Sequence, residues 1–416
     1  MAQNGKGIYF GWYIVLTCFL LMALAYAPST TLVGQFLVPM ATDFDISVTV
    51  SSTIVTIGML AAMIASPIAG KLLTKYGIRK LVVAMLLISA VSNAGMCFAP
   101  KFVLINIFAA FRGVALAFVG MVPISMMVMT WFGKSAQGRA MAFATIGSGI
   151  GAMAVSPLLA VIIADISWRY GYLLFAVLSL ICVPLVMATF APSPAAKGLT
   201  RLGDDPGAQA SGAPLTGMTG GEAMKSGMFW MVLLGFIFVS GVCQTWVNNA
   251  PGFYSGKLGL TAIMVGTLIA VTALTLTLGK IGLGIFCDKF GVKLGFLVSV
   301  ACLGVTYALG IVGEVGVVVS MGVVCAVVMG LGQSSLNITM PLVVNQICGN
   351  KDYGVCMGYV QAGTAIGAGF LPLGTTIFLD QTGNYATTFV IAGALAVAAI
   401  GLIFGAYALH GKKVTI

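Results

Sequence analysis

Charge is scarce in this sequence. Only 7% of its 416 residues are Asp, Glu, Lys or Arg, 60% are hydrophobic, and the mean hydropathy is +1.08. A water-soluble domain carries about 25% charged residues. A soluble surface of this size is therefore excluded, and composition overrides the two or three globular domains that length would suggest. Histidine is nearly absent: His410, in the C-terminal tail, is the only one, which removes most imidazole chemistry. None of the nine cysteines forms a C-x-x-C pair and most lie in apolar runs. Neither a disulfide framework nor a metal site is expected, and the thiols read as small apolar packers. There is no Walker phosphate loop, so ATP-driven work is not expected. No cofactor is implied. A membrane enzyme would need clustered titratable groups or a metal, and the sequence offers neither.

What the chain has instead is apolar length. A helix needs about 20 apolar residues to cross a bilayer. Counting between polar breaks predicts twelve spans near 12–40, 48–72, 80–98, 104–130, 138–164, 171–190, 228–252, 262–286, 293–312, 316–342, 355–379 and 386–408. The run Ala23-Leu-Ala-Tyr-Ala27 resembles a signal-peptide cleavage site, but the stretch is long and many spans follow it, so it reads as an uncleaved first span. The longest polar gap, 191–227, holds Pro192, Pro194, Pro206, Gly207, Ser211, Pro214 and the pair Gly220–Gly221, a linker composition. The domains predicted are an N-terminal six-helix bundle (1–190), a cytoplasmic linker (191–227) and a C-terminal six-helix bundle (228–416).

The net charge of +10 does not point to nucleic acid. Fifteen basic residues fall in alternate loops and tails on one side, and only Lys101, Arg169 and Lys257 fall on the other. The positive-inside rule then places both termini in the cytoplasm, with the chain a multi-pass protein of the cell (inner) membrane. Two cations remain, Arg112 and Lys280, and both lie within spans. The ten acids sort to the two sides: Asp43, Asp45, Asp165, Glu314 and Asp380 on one, Asp204, Asp205, Glu222, Asp288 and Asp352 on the other. The membrane interior thus holds two cations and no carboxylate.

The chain also repeats itself. Gly70-Lys-Leu-Leu-Thr-Lys-Tyr-Gly-Ile-Arg-Lys follows span 2, and Gly284-Ile-Phe-Cys-Asp-Lys-Phe-Gly-Val-Lys follows span 8, 214 residues later. Span 5 (Gly138-Arg-Ala-Met-Ala-Phe, then Gly147, Gly151 and Pro157) matches span 11 (Gly354-Val-Cys-Met-Gly-Tyr, then Gly363, Gly367 and Pro372) at an offset of 215 to 216. Two matches at nearly one offset predict a duplicated six-span unit. Six is even, so the copies are parallel repeats, an arrangement of secondary transporters that hold substrate near the midplane.

The two loops resemble motif A of the major facilitator superfamily, Gly-x-x-x-Asp-Arg/Lys-x-Gly-Arg-Lys/Arg. The second copy matches through Gly284, Asp288, Lys289, Gly291 and Lys293. The first keeps Gly70, Lys75, Gly77, Arg79 and Lys80 and has Thr74 where the family has Asp. The resemblance extends through Trp131-Phe, Gly138-Arg, Gly147, Gly151 and Trp168-Arg and covers the whole chain. It implies an all-α integral membrane fold of two parallel-repeat six-helix bundles, with the motif as a conformational latch in which an Asp accepts bonds from a helix N-terminus and from nearby Arg. A basic loop that fixes topology is the plainer reading of the same residues. Phe10-Gly-Trp-Tyr-Ile-Val resembles, more narrowly, the bacterial oxalate/formate antiporter and monocarboxylate transporter branch. There an Arg in span 8, eight residues before the motif Asp, faces the anion. Lys280 stands eight residues before Asp288, keeping the charge without the bidentate fork. That branch's span-11 Lys is absent, the region reading Tyr359-Val-Gln361, so a monocarboxylate is expected over a dicarboxylate.

A cation at membrane depth is a functional candidate. Lys280 either binds an anion or serves structure and gating. Arg112 serves substrate or coupling, or else bonds backbone carbonyls. Gln244 with Asn248 and Gln333 with Asn337 are i, i+4 pairs on one helix face. With Tyr26 and Thr30 of span 1 and Gln361 of span 11, they are candidate substrate contacts. Interhelical hydrogen bonding is the competing role for each. The function expected is secondary active transport of a small organic anion by alternating access, as exchange or proton-linked symport, in a chain that works as a monomer within the lipid bilayer. A proton-coupled multidrug or metabolite exporter of the same fold is the alternative, and the lack of an intramembrane acid counts against it.

Overall fold

The computed structural model describes residues 9–203, 217–315, 319–382 and 384–414, and apart from two isolated β-bridges the regular elements are helical. Linker residues Asp204, Asp205, Pro206, Gly207, Ser211 and Pro214 lie outside the described residues, as do the side chains of Glu314 and Asp380. With no water in the bilayer core, each backbone N–H and C=O must be paired within its own segment, and runs of Leu, Val, Ile, Ala and Gly therefore become helices.

Among the described residues, twelve helices are long and apolar enough to cross a membrane. Spans 1 to 6 are Phe10–Thr31, Thr53–Tyr76, Ile78–Phe98, Phe102–Trp131, Gln137–Asp165 and Trp168–Thr189. Spans 7 to 12 are Gly227–Gly256, Ile263–Phe290, Val292–Gly313, Ser320–Cys348, Tyr353–Pro372 and Tyr385–His410. The all-α, twelve-span architecture is the one the sequence predicts. The ends move by a few residues, and span 1, predicted as one run over 12–40, is broken.

That break has a local cause. Pro28 has no N–H to offer the turn behind it. Leu21–Tyr26 opens into a π-helical stretch in which the Ala27 N–H reaches back to Met22 O. Short helices Ala27–Thr31, Val33–Phe36 and Leu37–Asp43 complete the segment. Span 4 breaks at Gly120, between Phe102–Val119 and Met121–Trp131. Span 10 breaks at Ser334, between Val319–Gln333 and Ser335–Cys348. Gly120 and Ser334 are 214 residues apart, the offset of the sequence repeat.

The chain separates into two compact units, one of Met1–Ala62 with Leu72–Pro214 and one of Met63–Lys71 with Leu215–Ile416. Each packs glycines of one helix onto the backbone of another. In the first unit, a Cβ on Gly151 of span 5 would fall on the carbonyl of Ala23 in span 1. In the second, a Cβ on Gly367 of span 11 would fall on the carbonyl of Ile237 in span 7. Such close approach lets dispersion hold helices together where lipid offers no hydrophobic drive. Aromatic and aliphatic side chains fill one end of the first unit: Phe36, Met40, Met96, Ile105, Trp168, Tyr172 and Phe175 share one buried cluster.

The linker is partly docked rather than free. In the first unit, Gly133 N–H donates to Leu202 O (2.8 Å) and Leu202 N–H to Trp131 O (3.3 Å). In the second, Met218 N–H donates to Cys348 O (2.8 Å), and Gly220 N–H donates to Asp352 Oδ2 (2.9 Å). The linker composition reads as flexible, yet both described ends find backbone partners at the equivalent connections, between spans 4 and 5 and between spans 10 and 11.

Candidate functional site

Lys280 lies in span 8 with 3% of its surface exposed. Neighbouring Gly279 is packed against the break in span 10: a Cβ there would stand 3.2 Å from Leu331 Cα and 3.5 Å from Ser334 Cβ. The backbone of span 8 next to Lys280 thus lies at the level where span 10 interrupts its helix. Gln333, the last residue before the interruption, has a buried Nε2 with no hydrogen-bond partner. Ser334 Oγ bonds back to Leu331 O (2.6 Å), and the Ser335 and Thr339 hydroxyls pair at 2.7 Å. Interrupted helices are where membrane transporters expose polar backbone and side chains to a solute, and an N–H donor buried without an acceptor is costly unless something fills it.

A second group in the same unit sits on spans 7 and 11. Gln244 Nε2 donates to Asn248 Oδ1 (3.0 Å), so the predicted i, i+4 pair forms. Ser240 Oγ donates to Thr364 O (2.8 Å), tying span 7 to span 11. One turn before Thr364, Gln361 has a buried Oε1 without a partner. Asn337 is half-buried on span 10.

The first unit divides its candidates. Tyr26 lies in the π-helical stretch of span 1, and its ring meets Gly120 at the break in span 4. Thr30 is exposed, but its hydroxyl is spent on Tyr26 O (2.9 Å). Gln35 Nε2 donates to Ser156 Oγ of span 5 (2.8 Å), while its Oε1 is buried and without a partner. Arg112 is 2% exposed and enclosed in the aromatic end of the unit, its Nη1 near Met96 Sδ (3.9 Å) and its Cζ 5.8 Å from the centre of the Tyr172 ring. Among the described side chains, no Asp or Glu lies in the middle of a span: Asp165 ends span 5, and Asp288 stands in the last turn of span 8.

The motif loops form two like turns. Gly77 has φ 89° and Gly291 φ 92°, each ending one span and opening the next. A side chain is disfavoured at such angles, which accounts for the second glycine of each copy. Lys75 Nζ stands 5.2 Å from the Tyr76 ring centre and Lys289 Nζ 5.4 Å from that of Phe290, the same contact 214 residues apart. Lys293 lies over Phe404 at 4.8 Å, and Arg79 is exposed. Gly70 and Gly284 are buried. Residues Met63–Lys71 pack within the second unit, where a Cβ on Gly70 would fall on Gly354 O. Asp288 is half-buried.

Sequence reasoning missed two constructions. Arg201, counted only as a loop cation, donates through Nη2 to Met129 O (2.7 Å) and Phe132 O (2.8 Å). Arg169 donates to Cys97 O, Ala99 O and Asp43 Oδ2 and stacks over Trp168. Their hydrogen-bond partners lie 69 to 126 residues away, beyond any local spacing rule.

Comparison with known proteins agrees with this layout. The sequence pattern described as the Major Facilitator Superfamily matches residues 18–261 and 233–414. Monocarboxylate transporter 13 of Bos taurus is 25% identical over 406 residues, covering 94% of this chain and 88% of the relative. The protein of that name from Rattus norvegicus is 26% identical over 404 residues, with the same coverage. Among solved structures, the proton:xylose symporter XylE bound to 6-bromo-6-deoxy-D-glucose superposes with TM-score 0.71 at 16% identity, covering 95% of each chain. The E. coli fucose:proton symporter FucP superposes with TM-score 0.72 at 14% identity, covering 95% of this chain and 98% of that one.

Proposed function

Since the chain belongs to the major facilitator superfamily, and so is a multi-pass membrane transporter and not an enzyme, we propose that it is a secondary active transporter of a small organic anion, a monocarboxylate, working by alternating access. The observation that carries this reading is Lys280: a buried cation on span 8, adjacent in sequence to the Gly279 that packs against the interruption of span 10, where Gln333 Nε2 is buried without a partner. A monocarboxylate needs one positive charge and one or two further N–H or O–H donors. Lys280 and Gln333 supply that set, with Asn337, Gln244, Asn248 and Gln361 of the same unit as further polar contacts. The relatives named as monocarboxylate transporters support the same class.

Exchange of one anion for another is the mode we favour. It requires no titratable carboxylate in the membrane interior, and none lies there among the described residues. Proton-linked symport stays compatible if the substrate's own carboxyl carries the proton. The duplicated motif glycines and their basic neighbours serve as the gating turns, two six-span halves (1–190 and 228–416) joined by the linker 191–227 form the working unit, and a monomer suffices. The bias of basic residues supports the cell (inner) membrane with cytoplasmic termini.

The test is exchange of labelled organic acids in proteoliposomes, with and without a proton gradient. Uptake of a labelled monocarboxylate that is accelerated by the same acid inside, and lost in Lys280→Gln, is the expected result. Wild-type rates for every acid in Lys280→Gln would remove the anion site from Lys280. Uphill uptake driven by a proton gradient alone would replace exchange with symport.

A further inference from the structure

Arg112 poses an electrostatic problem that the transport site does not solve. Its guanidinium is a permanent cation with 2% of its surface exposed, and its Nε has no hydrogen-bond partner. The contacts it has are neutral: Met96 Sδ at 3.9 Å and the Tyr172 ring, whose centre lies 5.8 Å from Cζ. Tyr172 is itself fully buried, stacked on Phe36 with ring centres 4.1 Å apart, and its hydroxyl donates to Met40 Sδ at 3.8 Å. A charge in such surroundings carries an effective desolvation cost of several kcal/mol unless a counter-charge approaches it.

The first unit has none to spare. Among its described residues the acids are Asp43, Asp45 and Asp165. Asp43 is paired with Arg169 at 3.1 Å. Asp45 and Asp165 are exposed. Among the described residues, then, no acid pairs with Arg112.

We propose that a small monovalent inorganic anion of the halide class binds at Arg112, inside the first unit and apart from Lys280. One guanidinium matches one negative charge, whereas a dianion would leave an excess. The flanking Met96 and Met40 sulfurs and Tyr172 ring are polarisable but add no second cluster of N–H donors, which an oxyanion would need to satisfy several oxygens. A spherical halide needs only the Nε side of the guanidinium and the hydroxyl of Tyr172, which can turn from Met40 to donate to it.

The test uses the purified full-length protein in a halide-free buffer. Replacing gluconate by chloride or bromide at constant ionic strength is expected to raise the unfolding midpoint by about 2–4 °C. The rise should vanish in Arg112→Gln and persist in Lys280→Gln, the variant that tests the transport site, so the two readings fail separately. Equal midpoints in gluconate and halide would overturn the proposal in favour of a guanidinium satisfied by water. So would a halide effect that survives in Arg112→Gln. An Arg112-dependent rise with a monocarboxylate but not with halide would make Arg112 a second carboxylate contact instead. Should Arg112→Gln fail to fold, anomalous scattering from wild-type crystals soaked in bromide decides: a peak against the guanidinium supports the site, and its absence there removes it.

Discussion

The ring of Tyr26 lies against Gly120, so that a Cβ on Gly120 would stand 2.7 Å from Tyr26 Cε2 and 2.9 Å from Leu116 O. The irregular stretch of span 1 and the break of span 4 therefore meet at one point, and they meet because residue 120 has no side chain. Gly120→Ala is expected to destabilise the protein by about 1–3 kcal/mol through overpacking and to slow transport. Tyr26→Ala with Gly120→Ala should recover only part of the loss, since the contact with Leu116 O remains. Thermal unfolding of the two single variants and the double variant gives the coupling directly. Additive losses would mean that the ring and the break are independent.

Lys280 and Gln333 give predictions of opposite sign for stability and function. Removing the charge in Lys280→Gln should cost a charged hydrogen bond to the substrate, about 1.5–3 kcal/mol or roughly ten- to hundredfold in affinity. Lys280→Arg keeps the charge, but its larger head must fit beside Gly279, where span 8 already touches Leu331, so partial activity is expected. Gln333→Leu removes a buried donor that has no partner. It should leave the fold as stable as before or more stable, while KM for the monocarboxylate rises. A fall in both stability and affinity in Gln333→Leu would show that Nε2 is bonded within the protein.

Much of this architecture was legible in the residues, and the reasons are physical. Span count followed from apolar length, because lipid admits little besides helices. The duplication followed from Gly77 and Gly291, each held at a φ near 90°, and from Gly151 and Gly367, each pressed on a neighbouring carbonyl. These constraints act on single residues and so leave a mark at fixed spacing. Lys280 and Arg112 were both found as intramembrane cations, yet one lies at a helix break and the other inside an aromatic cluster. Hydropathy cannot separate those surroundings, which depend on Ser334 in one case and on Tyr172 in the other, residues 54 and 60 positions away in sequence. The breaks at Gly120 and Ser334 were invisible for a related reason. Both fall inside segments long enough to read as one span, Gly120 in an apolar run and Ser334 among small polar residues that a membrane helix tolerates, so length alone does not mark either break.

Arg201 makes the linker testable. Its guanidinium donates to Met129 O and Phe132 O at the C-terminal end of span 4, where helix carbonyls lack partners and a positive charge meets the negative end of the helix dipole. Tyr9 Oη adds a bond to Thr200 O at 2.9 Å. Arg201→Ala should free the segment 191–203 while leaving the twelve spans intact. Limited proteolysis should then cut this segment several times faster than in the wild type, with unchanged far-UV helicity. Arg201→Lys, which keeps the charge but loses the fork, should lie between the two. Equal cleavage rates in all three proteins would mean that the backbone bridge from Leu202 to Trp131 and Gly133 holds the segment without the side chain.

The docked end of the linker in the second unit should respond to acid. Thr219 opens the short helix Gly220–Lys225 with a capping box: its backbone N–H donates to Glu222 Oε2 at 2.7 Å, and Glu222 N–H donates to its hydroxyl. The bond from the Thr219 backbone, followed by that from its side chain, holds the Glu222 carboxyl below its ordinary value. A carboxyl depressed in the folded state stabilises above its unfolded pKa of about 4.3, and that contribution is lost as pH falls through the lower, folded value. The cap is therefore complete at neutral pH and opens only in acid. Hydrogen exchange should show the Thr219 amide protected at pH 7 and released in samples pulsed at pH 3, after correction for intrinsic exchange. In Glu222→Gln the release with acid should be absent, because the amide side chain does not titrate. An acid release of equal size in that variant would show that the Glu222 carboxylate is not what holds the amide.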